Sequence, residues 1–265
     1  MKVRIISAIV LLAISIPILI IGKLPFAIFM AIAAVLALHE LLKTRRKMKE
    51  LPFTIELYSY ILAAFFTLNN YNSGNILTLD YRLIAFLILV NLMPLVFVNN
   101  KEKYDLNDAL FLIGSTLFIG LAFNLIVLIR DYNIHYVAYL FLITIITDTF
   151  ALITGKYIGK HKLAPKISPN KTIEGLIGGA IMGTFVPTMY YISVINSPLN
   201  IGIIMAITLF LSLLGQFGDL VFSFVKREFQ QKDFSNLIPG HGGILDRLDS
   251  IIFVVLGFIL FITIL

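Results

Sequence analysis

Residues 200–226 read NIGIIMAITLFLSLLGQFGDLVFSFVK, and residues 227–249 continue REFQQKDFSNLIPGHGGILDRLD. The first stretch is an apolar run of the length that a bilayer-crossing helix needs, about 17 to 25 residues. The second reverses that character. From Ser223 to Asp249, four Lys or Arg, four Asp or Glu, one His and three Gly fall within 27 residues. The whole chain is only 14% charged, whereas a soluble domain carries about 25%. Ionisable groups concentrated at a membrane boundary are costly and mark a site. The residue types suggest its chemistry: cations for phosphate, glycines for close approach, carboxylates for a metal.

Apolar runs recur along all 265 residues, 59% of which are hydrophobic, and the mean hydropathy is +0.95. The pattern predicts an all-α, polytopic transmembrane helix bundle of nine spans, near 5–21, 25–42, 55–68, 83–98, 109–129, 136–155, 174–194, 200–226 and 248–265. A transmembrane barrel would alternate polar and apolar residues in segments of about ten, and no such segments occur. With the N-terminus cytoplasmic, only Lys23, Arg82 and Arg130 of the 21 Lys and Arg fall outside. That bias is the positive-inside pattern, and it explains the basic pI better than nucleic-acid binding does. Met1-Lys-Val-Arg4 before an apolar run resembles a signal peptide, but no small-residue cleavage pattern follows. The run reads as the first span. There is no cysteine, hence no disulfide and no thiolate metal site.

The chemistry concentrates in the second half. Residues 1–130 read as a transmembrane scaffold, and 131–265 as a catalytic half with cytoplasmic loops 156–173 and 227–247. The basic loop at 43–50 reads as a topogenic signal that can touch anionic lipid. Gly175, Gly179 and Gly183 recur every four residues, a close-packing stripe for a neighbouring helix. Such a stripe serves a homodimer as easily as an internal seam.

Gln216, Asp219, Ser223 and Lys226 share one face of a helix. Asp219 lies roughly 10 Å inside its end at about 1.5 Å per residue. It is either a buried acid paired with a neighbouring Lys or Arg, or a divalent-metal ligand at the mouth of a cavity. Asp246 and Asp249 fall at the start of the ninth span, where helix capping is the alternative to metal binding. Two hard-oxygen ligands plus substrate phosphates are how Mg²⁺ is normally held. The glycines of Pro239-Gly-His-Gly-Gly243 let the backbone approach an anion. Lys171, Thr172 and Glu174 place a cation, a hydroxyl and an acid at the entry to the seventh span, as a capping box or as a second phosphate contact. Asp148 is a further intramembrane acid. No Walker A or kinase motif occurs.

Ser223-x-Val225-Lys226-Arg227, then Lys232-Asp233-x-Ser235, then Ile238-Pro239-x-His241-Gly242-Gly243-Ile244-x-Asp246-Arg247-Leu248-Asp249 resembles the signature of phosphatidate cytidylyltransferases, the CDP-diacylglycerol synthases. Ser168-Pro-Asn-Lys171-Thr-Ile-Glu174-Gly and Gln216-x-Gly218-Asp219 resemble the family too, although an aromatic is common where Ile173 stands. The motifs lie within the C-terminal half.

The resemblance implies an Mg²⁺-dependent transfer from CTP to phosphatidate in phospholipid synthesis, giving CDP-diacylglycerol and pyrophosphate. It implies a multi-pass protein of the inner, cytoplasmic membrane with its site on the cytoplasmic side. On this reading Asp219 and Asp246 hold the cation with Asp249 as helper. Lys226, Arg227 and Lys171 contact phosphates, Gly242 and Gly243 cradle the triphosphate, and His241 orients it. Arg247 binds phosphate or Asp249, while Thr172, Glu174, Ser223 and Lys232 complete the substrate-binding set. The alternatives are a CTP-dependent polyprenol or phytol kinase, a cytidylyltransferase of isoprenoid lipids, and, from another class, an ion-coupled transporter.

Overall fold

The computed structural model describes residues 2–46, 49–69, 71, 80–98, 103–195 and 198–263, with side chains from Ile5 onward. Lys47, Lys101 and residues 70 and 72–79 lie outside the described residues. The chain is almost entirely helical: α1 (Lys2–Ile21), α2 (Lys23–Arg46), α3 (Phe53–Leu68), α4 (Tyr81–Leu92), α5 (Pro94–Phe97), α6 (Leu106–Tyr132), α7 (Ile134–Ile158), α8 (Ile173–Tyr190), α9 (Ile201–Glu228) and α10 (Leu245–Phe258). A hairpin of β1 (Lys162–Ala164) and β2 (Ser168–Thr172) joins α7 to α8. Among the described residues five helices, α2, α6, α7, α8 with its π-helical extension, and α9, are long and apolar enough to cross a membrane. This is a multi-pass membrane architecture.

The first, third and fourth expected spans are shorter apolar helices, Ile5–Ile21, Phe53–Leu68 and Tyr81–Phe97, and the fourth and ninth differ further. The fourth is broken at Met93, where Pro94 opens α5. Proline lacks the N–H that would continue the α4 ladder, yet its fixed φ suits the first position of a helix. The ninth, expected to reach residue 265, is helical only to Phe258. Beyond it Leu260 N bonds Gly257 O and Phe261 N bonds Phe258 O, the tightened i→i+3 pattern of a terminating helix.

By its contacts the chain forms two compact units, Met1–Tyr132 with Asp233–Asp246, and Asn133–Lys232 with Arg247–Leu265. In the first, α3 and α6 close over Leu62, Phe66 and Leu87. A Cβ at Gly120 would stand 2.7 Å from that of Phe66, so this crossing needs glycine. At one end of these helices Arg45 Nη2 donates to Asp108 Oδ1 at 2.9 Å. Lys49 Nζ lies 2.8 Å from Asp105 Oδ2 and 2.5 Å from Asp108 Oδ2, and Arg46 pairs with Glu56. Asp105 and Asp108 also accept from each other's backbone N–H and cap α6 reciprocally. The cations of the 43–50 loop are therefore more than a topogenic signal: Arg45, Arg46 and Lys49 neutralise acids of α3 and the start of α6.

The second unit is built on the α7–α8 seam. A Cβ at Gly175 or Gly179 would meet the backbone oxygens of Ala151 or Thr147 at 2.7 and 2.8 Å, and one at Gly183 would overlap Thr147 and press on Ser212. The glycine stripe is thus an internal seam, where small residues let backbones approach. Beside it, hydroxyls tie α7 to α9. Thr147 Oγ1 and Ser212 Oγ are 2.7 Å apart, and the Tyr139 hydroxyl is 2.6 Å from Thr208 Oγ1. Helix α10 packs on α9, with Phe253 filling the space that glycine leaves at position 218.

Candidate functional site

The second unit gathers a charged cluster from four elements. Lys171 comes from β2, Asp148 from α7, Asp219, Ser223 and Lys226 from α9, and Asp249 and Ser250 from α10. Lys171 Nζ lies 2.5 Å from Asp219 Oδ2. Ser223 Oγ donates to the other oxygen, Oδ1, at 3.2 Å, one helical turn along α9. Asp148 lies near Ser250 and within electrostatic reach of Asp219 and Lys171. Asp249 lies within reach of Asp219, Asp148 and Lys226. Lys226 is only 9% exposed, so its charge is held inside the protein beside these acids. Three carboxylates and two ammonium groups thus share one region.

The loop entering α8 is ordered by the residues expected there, in roles the geometry defines. Thr172 is the N-cap, and its Oγ1 accepts from Gly175 N at 3.1 Å. Glu174 does not complete a capping box. It reaches back to the hairpin, accepting from Lys160 N at 3.0 Å and lying 2.6 Å from His161 Nδ1. Arg227 donates through Nε to Ile167 O at 3.3 Å and through Nη1 to Gln231 O at 3.0 Å, tying the hairpin turn to the end of α9. Lys232 and Arg247 are exposed.

The first unit holds the glycine loop. Ile238 N donates to Gly242 O at 2.8 Å and His241 N to Ile238 O at 2.9 Å, closing a tight turn over Pro239 and Gly240. Gly240 and Gly242 have φ of +75° and +83°, the left-handed region that favours glycine. Ser7 Oγ donates to Pro239 O at 2.9 Å and sits 2.8 Å from His241 Nδ1. A hydroxyl has one proton, so with that proton on Pro239 O it is Nδ1 of His241 that donates to Ser7. Asp246 Oδ2 accepts from Phe234 N and from Gly243 N, both at 2.9 Å. Asp246, the second residue of α10, thus receives amides of the preceding loop rather than the first amides of its own helix. The Gly243 amide is directed at Asp246, and a side chain at 243 would fall on the carboxylate of Glu40.

Glu40 is the residue that sequence reasoning passes over. It lies in α2, six residues before the helix ends at Arg46, and is 2% exposed. Its Oε1 accepts from Ser235 Oγ at 2.6 Å and from Ile244 N at 2.9 Å, and its Oε2 accepts from Leu245 N at 2.9 Å. The signal was an acid inside an otherwise apolar run, the same signal that singled out Asp219.

Among the described residues, no three Asp, Glu or His side chains converge as a ready-made metal cage. The donors present suit a different mode of binding. Asp219, Asp249 and Asp148 are hard-oxygen groups near one another, and Mg²⁺ usually takes one or two carboxylates, keeps waters and adds substrate phosphates. The chemistry of the donor set therefore fits Mg²⁺.

Comparison with known proteins follows the same lines. The model of the cytidylyltransferase family matches residues 2–265. A protein of Staphylococcus haemolyticus named phosphatidate cytidylyltransferase is 38% identical over 260 residues, covering 96% of both chains. Proteins of the same name from Staphylococcus aureus strain COL and Bacillus subtilis strain 168 are 40% and 36% identical. The first alignment covers 96% of both chains, and the second covers 96% of this chain and 94% of its relative. With the match running from end to end, this chain belongs to the cytidylyltransferase family.

Proposed function

We propose that the protein is a phosphatidate cytidylyltransferase, transferring the cytidylyl group of CTP to phosphatidate in phospholipid synthesis. The observation that carries this is the cluster of Asp148, Lys171, Asp219, Lys226 and Asp249 in a unit of apolar helices. The name borne by its full-length relatives supports it.

A phosphate oxygen of phosphatidate attacks the α-phosphorus of CTP. One P–O bond forms, the α–β bridging bond breaks, and pyrophosphate leaves with that electron pair. A phosphate monoester carries about −1.5 to −2 charge near pH 7, so the nucleophile needs no strong general base. What it needs is relief of the repulsion between two anions, and in-line positioning. Lys171 and Lys226 supply positive charge beside the acids, and Ser223 orients Asp219. Arg227 steadies the hairpin from which Lys171 projects, and His241, Gly242 and Gly243 shape the loop that leads into α10.

The residues that would hold Mg²⁺ are Asp219 and Asp249, with Asp148 beside them, and bound Mg²⁺ would neutralise charge on the transferring phosphoryl group. We place the protein in the inner, cytoplasmic membrane with this chemistry on the cytoplasmic side, where the cationic loops accumulate. A homodimer would use some face other than the Gly175–Gly183 stripe, which is occupied internally.

The test is a product assay on the purified protein in detergent. CTP and Mg²⁺ are supplied with phosphatidate, diacylglycerol, a polyprenol or no acceptor, and lipid products are identified by mass. A CDP-lipid made only from phosphatidate, with release of pyrophosphate, is the expected result. A phosphorylated alcohol would instead make the protein a kinase.

A further inference from the structure

We infer that Glu40 is the positioning residue of the signature loop: its buried carboxylate holds Ser235 and the first amides of α10, and so sets where Asp246 stands. The inference rests on the cytidylyltransferase reading for its effect on rate, and on geometry alone for its effect on the loop.

Both carboxylate oxygens are used. Oε1 takes the Ser235 hydroxyl and the Ile244 amide, and Oε2 takes the Leu245 amide. Helix N-termini leave their first amides without intrahelical acceptors, and their partial positive charge favours an anion. A carboxylate 2% exposed, roughly 9 Å inside the end of α2 at about 1.5 Å per residue, is costly unless such donors receive it. The two requirements are met by one contact.

Two features of the loop then acquire a reason. Position 243 is glycine because a Cβ there would fall on the Glu40 carboxylate. Position 235 is serine because its hydroxyl reaches Glu40 at 2.6 Å and also accepts from Leu237 N at 3.1 Å. The segment between these anchors carries His241 at its turn, and Asp246 follows Leu245 directly. Loss of the clamp frees the loop at both ends and releases Asp246 from its bond to Gly243 N.

The experiment pairs amide hydrogen exchange with kinetics on full-length protein, using Glu40→Gln, Glu40→Ala, Gly243→Ala and the Glu40→Asp/Gly243→Ala double variant. Charge-assisted bonds of this kind imply a kcat for Glu40→Ala about 10- to 100-fold below wild type. Glu40→Gln keeps one acceptor and should fall between. The KM for CTP should change by less than about threefold, since positioning acts on the transition state more than on ground-state binding. Exchange at Ile244 and Leu245 should quicken while amides within α3 and α6 keep their protection.

The double variant, with its shorter acid, should recover part of the activity that Gly243→Ala loses. Unchanged exchange at 244 and 245 would overturn the inference. So would loss of protection throughout α3 and α6, which would make Glu40 a general stabiliser. If wild-type protein made no CDP-lipid, the functional reading would fall, and the exchange result would still decide the clamp.

Discussion

Lys171 Nζ stands 2.5 Å from Asp219 Oδ2, so the loop before α8 and the interior of α9 meet through an ion pair. The pair has two meanings that differ in their consequences. As a counter-ion alone, Lys171 would do no more than neutralise Asp219. As a phosphate ligand it would exchange Asp219 for substrate, leaving the carboxylate for a cation. Asp219→Asn should lower kcat about 100-fold, the scale seen when a group that stabilises transition-state charge is removed. Lys171→Met should raise the KM for CTP about tenfold or more, for loss of one charge-assisted phosphate contact. The double variant decides between the two meanings. A counter-ion pair removed together would recover activity, whereas two groups with separate work give additive losses, so the double variant combines the low kcat of Asp219→Asn with the raised KM of Lys171→Met.

The α7–α8 seam gives a prediction on stability. Gly179→Leu would drive its side chain into Thr147 O and the Ala151 methyl, which a Cβ alone would approach at 2.8 and 2.9 Å. Overpacking of this kind costs about 1–3 kcal/mol. Thermal unfolding in detergent should therefore occur at lower temperature than in wild type. Gly114→Leu is the control, since a Cβ at 114 has no neighbour within 4 Å. Equal midpoints for the two variants would remove the seam from its structural role.

Much of this was legible in the chain. Apolar runs located each helix because a bilayer leaves the backbone no partner but itself, and the glycine repeat marked the seam. Asp219, Ser223 and Lys226 came from helical periodicity, and the structure adds Lys171 as the partner of Asp219. The sequence did not expose the break at Met93 from hydropathy, since Pro94 interrupts a run that stays apolar on both sides. Nor did it expose Glu40, because its partners lie about 200 residues away in sequence. Periodicity reports which residues share a helix face; it carries no information on which distant loop meets that face.

The charged network of the first unit gives a pH prediction. The bond from Lys49 holds Asp105 well below the ordinary carboxylate range, at about 2. A carboxyl group whose pKa is lower folded than unfolded contributes stability above the unfolded value, roughly pH 4, and that contribution is lost as pH falls through the folded value. Asp105→Asn should therefore melt below wild type at pH 5 and above. The gap should close as pH is taken from about 4 towards 2. A gap that persisted at the acid end would show that Asp105 acts through packing rather than charge.

Arg46 and Glu56 form the adjoining pair, and there the acid is the buried partner: the Glu56 side chain is 1% exposed and that of Arg46 is 35% exposed. Removing the accessible cation leaves a buried carboxylate uncompensated. Loss of one partner of a buried pair costs about 3–5 kcal/mol, and the exposure of Arg46 sets the lower end of that range as the expectation. Arg46→Met should be the more damaging single change and Arg46→Met/Glu56→Gln the milder one, measured as unfolding midpoints. A double variant less stable than Arg46→Met would mean that Glu56 is not carrying the penalty.

The absence of cysteine makes the orientation directly measurable. Lys166 lies in the turn of the β1–β2 hairpin and Pro198 in the connector before α9, and both are exposed. Helix α8 with its π-helical extension, Ile173–Ile195, separates them and is long and apolar enough to cross a membrane. The two positions must then lie on opposite sides. The proposed orientation, which rests on the concentration of Lys at 156, 160, 162, 166 and 171, puts the hairpin in the cytoplasm. A single cysteine at Pro198→Cys should react with a membrane-impermeant maleimide in right-side-out vesicles. One at Lys166→Cys should react only after permeabilisation or in inverted vesicles. The reverse pattern would put the hairpin, and with it Lys171, outside the compartment that holds CTP, and the proposed reaction would have no nucleotide to use.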